Sequence, residues 1–121
     1  MTPTEIALHQ KTRILALSWP DGVVHQLPCE LLRVYSPSAE VRGHGVGNAV
    51  LQLDKENVNI TALDPVGHYA VKITFDDGHD SGLFDWNYLR DLGDRQEEHW
   101  ADYLRRCEAA GHPRKTTEQS D

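Results

Sequence analysis

Apolar and polar residues alternate along two stretches of this chain and settle into a helical period near its end. Arg13 to Trp19 puts Ile14, Ala16 and Ser18 on one side and Leu15, Leu17 and Trp19 on the other, which predicts a strand. Pro20-Asp21-Gly22 follows; Asp-Gly between apolar runs signals a hairpin, because glycine takes positive φ without steric cost. Val23 to Leu27 predicts the return strand. Pro28 suits the first turn of a short helix, where its missing N–H costs nothing, and Leu31, Leu32 and Val34 give that helix an apolar side.

The second stretch, Val71 to Arg90, repeats this order and organises the chain. His68 to Phe75 alternates Tyr69, Val71, Ile73 and Phe75 against His68, Ala70, Lys72 and Thr74. Asp76-Asp77-Gly78-His79 predicts a second tight turn, and Asp80 to Phe84 closes the hairpin. Asp85 is a suitable N-cap for a helix from Trp86 to Leu92, and Gly93 suits its stop. Laid over the first unit, Trp19 matches Phe75, Asp21-Gly22 matches Asp77-Gly78 and Leu27 matches Leu83; after one inserted residue, Leu32-Arg33 falls on Leu89-Arg90.

Between the units, Tyr35 to Asn48 reads as a loop rich in Ser, Pro and Gly, Val50 to Leu53 as a short strand, and Asn57 to Leu63 as a clearer one ending in the turn Asp64-Pro65-Val66-Gly67. A final helix from about Asp94 to Ala110 spaces Trp100, Tyr103, Leu104 and Cys107 on one apolar face. The predicted fold is α+β: a small antiparallel sheet built of two related hairpin-plus-helix units around a central strand, with a C-terminal helix. Residues 1–11 are expected as a flexible lead-in, 12–111 as the domain and 112–121 as a disordered tail. Trp19, Ile73, Phe75, Leu83, Trp86 and Leu89 are expected in or beside the core, with Trp100 and Leu104 docking the last helix onto it.

Composition narrows the function. A chain of 121 residues suits one domain, and 39% hydrophobic with 26% charged residues suits a folded one. A net charge of −7 argues against general affinity for nucleic acid or anionic membrane. No apolar run approaches the roughly 20 residues that cross a bilayer. The N-terminus lacks the apolar core of a signal peptide, so a cytoplasmic location is expected. Cys29 and Cys107 belong to no CxxC pattern and are expected as free thiols, Cys107 packed on the apolar face of the last helix.

Candidate chemistry is sparse. Gly43-His44-Gly45-Val46-Gly47 lacks the preceding strand and following helix of a dinucleotide loop and reads as a flexible loop. The seven histidines show no metalloprotease or facial-triad spacing. Asp76, Asp77, Asp80 and Asp85 lack the spacing of a calcium loop and read as caps and turn residues. No serine or cysteine carries a local nucleophile signature. Leu32 to Gly45 sets Arg33, Arg42 and His44 beside Tyr35 and several hydroxyls in an otherwise acidic chain, either an ordinary polar loop or a surface for docking a protein or small anion.

The segment LR-x-x-S-P-S-A-E-V-R-G-H-G, the NVNI strand and G-x-Y-A-V-K-I-T-F-D-D-G-H-D-S-G-L-F-D-W-x-Y-L together resemble the small bacterial proteins called DUF971, which are similar to the N-terminal domain of γ-butyrobetaine hydroxylase. The resemblance spans about Arg13 to Leu92. In those hydroxylases the domain is appended to a separate oxygenase domain with an iron and 2-oxoglutarate site, and this chain carries no stretch with that motif. The resemblance implies a zinc site of three cysteines and one histidine; the cysteine positions hold Ser36, Ser38 and Val41 here, and His79 stands at the histidine position. One histidine does not make a tetrahedral N/S site, so no zinc or other cofactor is expected. Related domains also occur fused to P-loop ATPases carrying iron–sulfur clusters, which implies an alternative role with iron or zinc.

The leading expectation is a stand-alone, non-catalytic module that binds an unidentified protein partner through Arg33, Tyr35, Ser36, Ser38, Arg42 and His44. Its alternatives are a metal-linked accessory role, in iron handling or iron–sulfur cluster assembly, and an accessory subunit of a separate oxygenase. The sequence sets no oligomeric state.

Overall fold

The computed structural model describes residues 1–37 and 51–111. Ser38, Val41, Arg42, His44, the glycine-rich run and the tail lie outside the described residues. The class is α+β as expected, and among the described residues the strands form two small antiparallel sheets of three, with helices at the C-terminal end.

The first sheet is β1 (Glu5–His9), β2 (Ile14–Ser18) and β3 (Val24–Pro28), in that order. Strand β1 corrects the expected lead-in. Ile6 and Leu8 lie opposite Leu17 and Leu15 of β2, so pairing supplies an order that this short stretch does not signal locally. Leu15, Leu17, Trp19 and Leu27 are buried. Helix α1 (Cys29–Val34) follows with all six residues buried, Glu30 and Arg33 included.

Residues 51–53 form no strand; Leu51 and Leu53 instead pack against Val34, Tyr103 and Cys107. The second sheet is β4 (Ile60–Val66), β5 (Ala70–Phe75) and β6 (Leu83–Asp85). Strand β4 starts later than expected and runs through Pro65, and Gly67 turns the chain at φ +57°.

The two hairpins close alike. Gly22 N–H donates to Trp19 O (3.0 Å) and Gly78 N–H to Phe75 O (3.1 Å), with both glycines at φ +90°. Trp19 N–H donates to Val23 O, and Phe75 N–H to His79 O, both at 2.9 Å. Beyond these turns the hairpins differ by one residue. Leu15 pairs with Leu27 in the first, whereas Val71 pairs with Phe84, not Leu83, in the second. The inserted residue therefore lies between His79 and Leu83, ahead of the position matching Leu27. A one-residue slip exchanges the faces of a strand. Phe84 is accordingly buried, and Leu83, expected in or beside the core, is 46% exposed.

Helix α2 (Trp86–Asp94) starts at Asp85, whose carboxylate accepts Tyr88 N–H at 2.7 Å. Gly93 lies within this helix rather than ending it: a Cβ there would overlap the His25 ring. Trp19 Nε1–H donates to His25 Nδ1 (3.0 Å), so His25 Nε2 carries a hydrogen and donates to Asp94 Oδ1 (3.0 Å). Arg90 completes the joint by bonding Asp94 and Asp21 and lying over the Trp19 ring.

Helix α3 (Gln96–Ala109) docks through Trp100, Tyr103 and Cys107. Leu104, expected at this seam, lies on its flank and is 38% exposed. The main core holds Leu15, Leu17, Trp19, Leu27, Ile60, Ile73, Phe75, Phe84 and Leu89, with Trp86 partly buried against it. No helix among the described residues is long and apolar enough to cross a membrane.

Candidate functional site

The residues singled out by sequence gather where the C-terminal end of α1 meets the tip of the β5–β6 hairpin. Helix α1 stops at Tyr35, whose N–H still reaches Leu31 O (3.1 Å), and Ser36 N–H turns back to Arg33 O (3.3 Å). This tight exit points Arg33 and Ser36 at the same hairpin.

Arg33 Nε–H donates to Asp77 Oδ2 (2.9 Å) and its Nη1 to Gln52 Oε1 (3.2 Å). Lys55 Nζ donates to the same Asp77 oxygen at 2.8 Å. Asp77 Oδ1 accepts the backbone N–H of His79 at 3.2 Å. Burial alone would raise the Asp77 pKa, but bonds from Lys55, His79 N–H and Arg33 outweigh it and hold the carboxyl down to about 2, from 3.8.

Beside this ion pair, Ser36 Oγ and His79 Nε2 are hydrogen-bonded at 2.9 Å. Ser36 is 1% exposed and His79 6%. Gly82 makes the approach possible, since a Cβ there would overlap Ser36 Oγ. The Phe75 ring lies 6.0 Å from the His79 ring. On the other side, Tyr35 donates its hydroxyl to His99 O (2.8 Å) and packs on the His99 ring, while its own carbonyl accepts the Tyr88 hydroxyl. Burial, then the nearby Asp102 charge, raises the Tyr35 pKa.

Of the six expected contact residues, Arg33 and Ser36 are thus interior and Tyr35 is partly buried; Ser38, Arg42 and His44 lie outside the described residues. The structure adds Asp77, Lys55, Gln52, Tyr88 and Gly82, which sequence reasoning missed or read as turn chemistry. Asp77 belongs to the repeated Asp-Gly turn, but its partner Arg33 is 44 positions away, so no local signal joins them.

The arrangement limits the chemistry. Ser36 and His79 resemble a nucleophile and its base, yet the hydroxyl is enclosed and cannot meet a substrate. No group of three His, Cys, Asp or Glu among the described residues is placed to hold a metal ion. At the zinc positions implied by the resemblance, Ser36 offers a neutral hydroxyl bonded to the one imidazole, which does not fit a tetrahedral N/S centre. Burial pushes the Cys29 thiol up to about 11, which makes it a packing group rather than a nucleophile. Glu30 accepts the Tyr103 hydroxyl at 3.1 Å and ties α1 to α3.

Fold and corner together define a small α+β domain of two hairpin–helix units, joined by a buried polar cluster. The chain belongs to the gamma-butyrobetaine hydroxylase-like, N-terminal family, whose model matches residues 6–90. It is similar to a protein solved by solution NMR (TM-score 0.80, 47% identity, covering 96% of this chain and 94% of that one). A second NMR structure is 53% identical with a TM-score of 0.79, covering 93% of this chain and 84% of that one. A crystal structure of a DUF971-family protein of unknown function from Acidithiobacillus ferrooxidans is 39% identical with a TM-score of 0.62, covering 76% of this chain and 92% of that one. No curated protein matches the chain.

Proposed function

We propose that the chain is a non-catalytic interaction or accessory module. Ser38, Arg42 and His44 supply the contacts to a protein partner, and Arg33, Tyr35 and Ser36 fix the chain just ahead of them. The observation that carries this reading is the double fastening of that segment's flanks. Arg33 before it and Lys55 after it converge on one carboxylate oxygen of Asp77, and Ser36 bonds to His79 on the same hairpin. Flanks fixed on both sides of a polar segment limit the ordering cost of binding. In this reading, Arg42 provides charge-assisted contacts, and His44 further polar ones, against the acidic background of the chain.

The test is native co-purification with wild type and with the double variant Arg42→Glu, His44→Ala. A discrete protein should accompany wild type in constant proportion and be lost from the variant, whose urea midpoint stays unchanged. Retention of that protein by the variant, or a turnover lost on a single polar substitution, would sink the reading. If the accompanying protein is an oxygenase chain, the module is its accessory subunit.

A metal-linked accessory role, in iron handling or iron–sulfur cluster assembly, is the second reading. It rests on the iron–sulfur company that related domains keep and on His79, which stands at the position where the resemblance implies a histidine ligand. Elemental analysis of protein purified without chelator separates the two, since a stoichiometric metal supports the second alone.

A further inference from the structure

We propose that the Ser36–His79 hydrogen bond is itself the fastener of this corner and stands where the resemblance would place a zinc ion, so that the corner forms without metal. The donor set disagrees with zinc. Four strong donors close a structural site, whereas the corresponding positions here hold Ser36, Ser38, Val41 and His79. Valine offers no donor, and the imidazole Nε2 of His79 is already bonded to Ser36 Oγ at 2.9 Å.

Three features show a built contact. Ser36 and His79 are 1% and 6% exposed, so water replaces neither partner, and loss of one leaves the other buried with a bond missing. Gly82 leaves the space that Ser36 Oγ occupies. His79 is also held through its backbone, because Asp77 Oδ1 accepts its N–H while Arg33 and Lys55 hold Asp77 Oδ2. Arg33 and Ser36 therefore attach the end of α1 to Asp77 and His79 of one hairpin tip. Two attachments side by side fix orientation as well as distance, which is what a shared metal ion would otherwise do. The inference requires no partner, so its failure leaves the Arg42 and His44 test untouched.

The experiment is a double-mutant cycle on the full chain, with Ser36→Ala, His79→Ala and both, unfolded in urea with and without EDTA. The zinc content of wild type purified without chelator is measured alongside. Expected are far less than one zinc per chain and a coupling of roughly threefold to tenfold in the unfolding constant, unchanged by EDTA. One zinc per chain, a coupling that vanishes in EDTA, or no coupling would overturn the proposal. Should the variants fail to fold, nitrogen NMR of the wild-type His79 ring decides. An Nε2 signal unmoved by added zinc supports the hydrogen bond, and a metal-type shift refutes it.

Discussion

Asp77 shows at the scale of one residue how a turn position becomes a structural centre. Its pKa falls from 3.8 to about 2 because Lys55, His79 N–H and Arg33 together outweigh burial. A depressed carboxyl favours the folded state while it is charged. Its stabilisation is full above the unfolded value and fades as pH falls through about 2. The gap corresponds to about 2 kcal/mol at most, reduced by screening of a side chain 23% exposed. Asp77→Asn should cost about 1–2 kcal/mol near neutral pH and flatten the acid limb of stability. Urea midpoints at a series of pH values check this; parallel curves for variant and wild type between pH about 5 and 2 would show that the cluster contributes nothing. Gly78 makes the neighbouring case. At φ +90° it has open space around a Cβ, so Gly78→Val tests backbone conformation alone. It should destabilise by about 1 kcal/mol or more, because a β-branched residue resists positive φ. That need was legible in the sequence, since Asp-Gly recurs between alternating strands. The role of Asp77 was not, because its partner Arg33 is brought to it only by the fold.

At the scale of elements, the two hairpins show where sequence pattern holds and where it slips. Trp19, Ile73, Phe75 and Leu89 are buried as their alternation and helical spacing predict. Leu83 and Phe84 are adjacent, both apolar, and separated from the turn by Asp80-Ser81-Gly82, so local pattern gives no phase. The ladder sets it by pairing Val71 with Phe84. Phe84→Ala should therefore cost about 3–5 kcal/mol, while Leu83→Ala should stay within about 0.5 kcal/mol. Comparable thermal midpoints for the two variants would show that the register is wrong. Strand β1 was illegible for a related reason. Its five residues follow Pro3 and two threonines, and only pairing with β2 orders them, with Leu8 packed against the core and Ile6 left 39% exposed.

At the scale of the whole molecule, helix α3 raises the question of what completes the domain. The family match ends at Arg90, within α2, so all of α3 lies beyond it. Yet α3 covers the end of α1. Tyr103 is 1% exposed and donates to Glu30, itself 5% exposed, while Tyr35 bonds the His99 carbonyl. Burial, and then the Glu30 carboxylate, raises the Tyr103 pKa, which keeps the phenol protonated as the donor this contact requires. Trp100 and Cys107 flank the contact, and Leu51 and Leu53 close it from the returning chain. If α3 is part of the domain, removing the Tyr103 hydroxyl should be felt in global stability, because the Glu30 carboxylate loses a buried donor. Tyr103→Phe keeps the ring and should cost about 1–3 kcal/mol, whereas Leu104→Ala, one position away on the exposed flank, should cost less than about 1 kcal/mol. Urea unfolding followed both by circular dichroism and by tryptophan fluorescence tests this, since Trp100 lies on the docking face. One shared transition, moved to lower urea in Tyr103→Phe, makes α3 integral to the fold. If only the fluorescence transition moves, the helix unlatches by itself and the domain is complete without it.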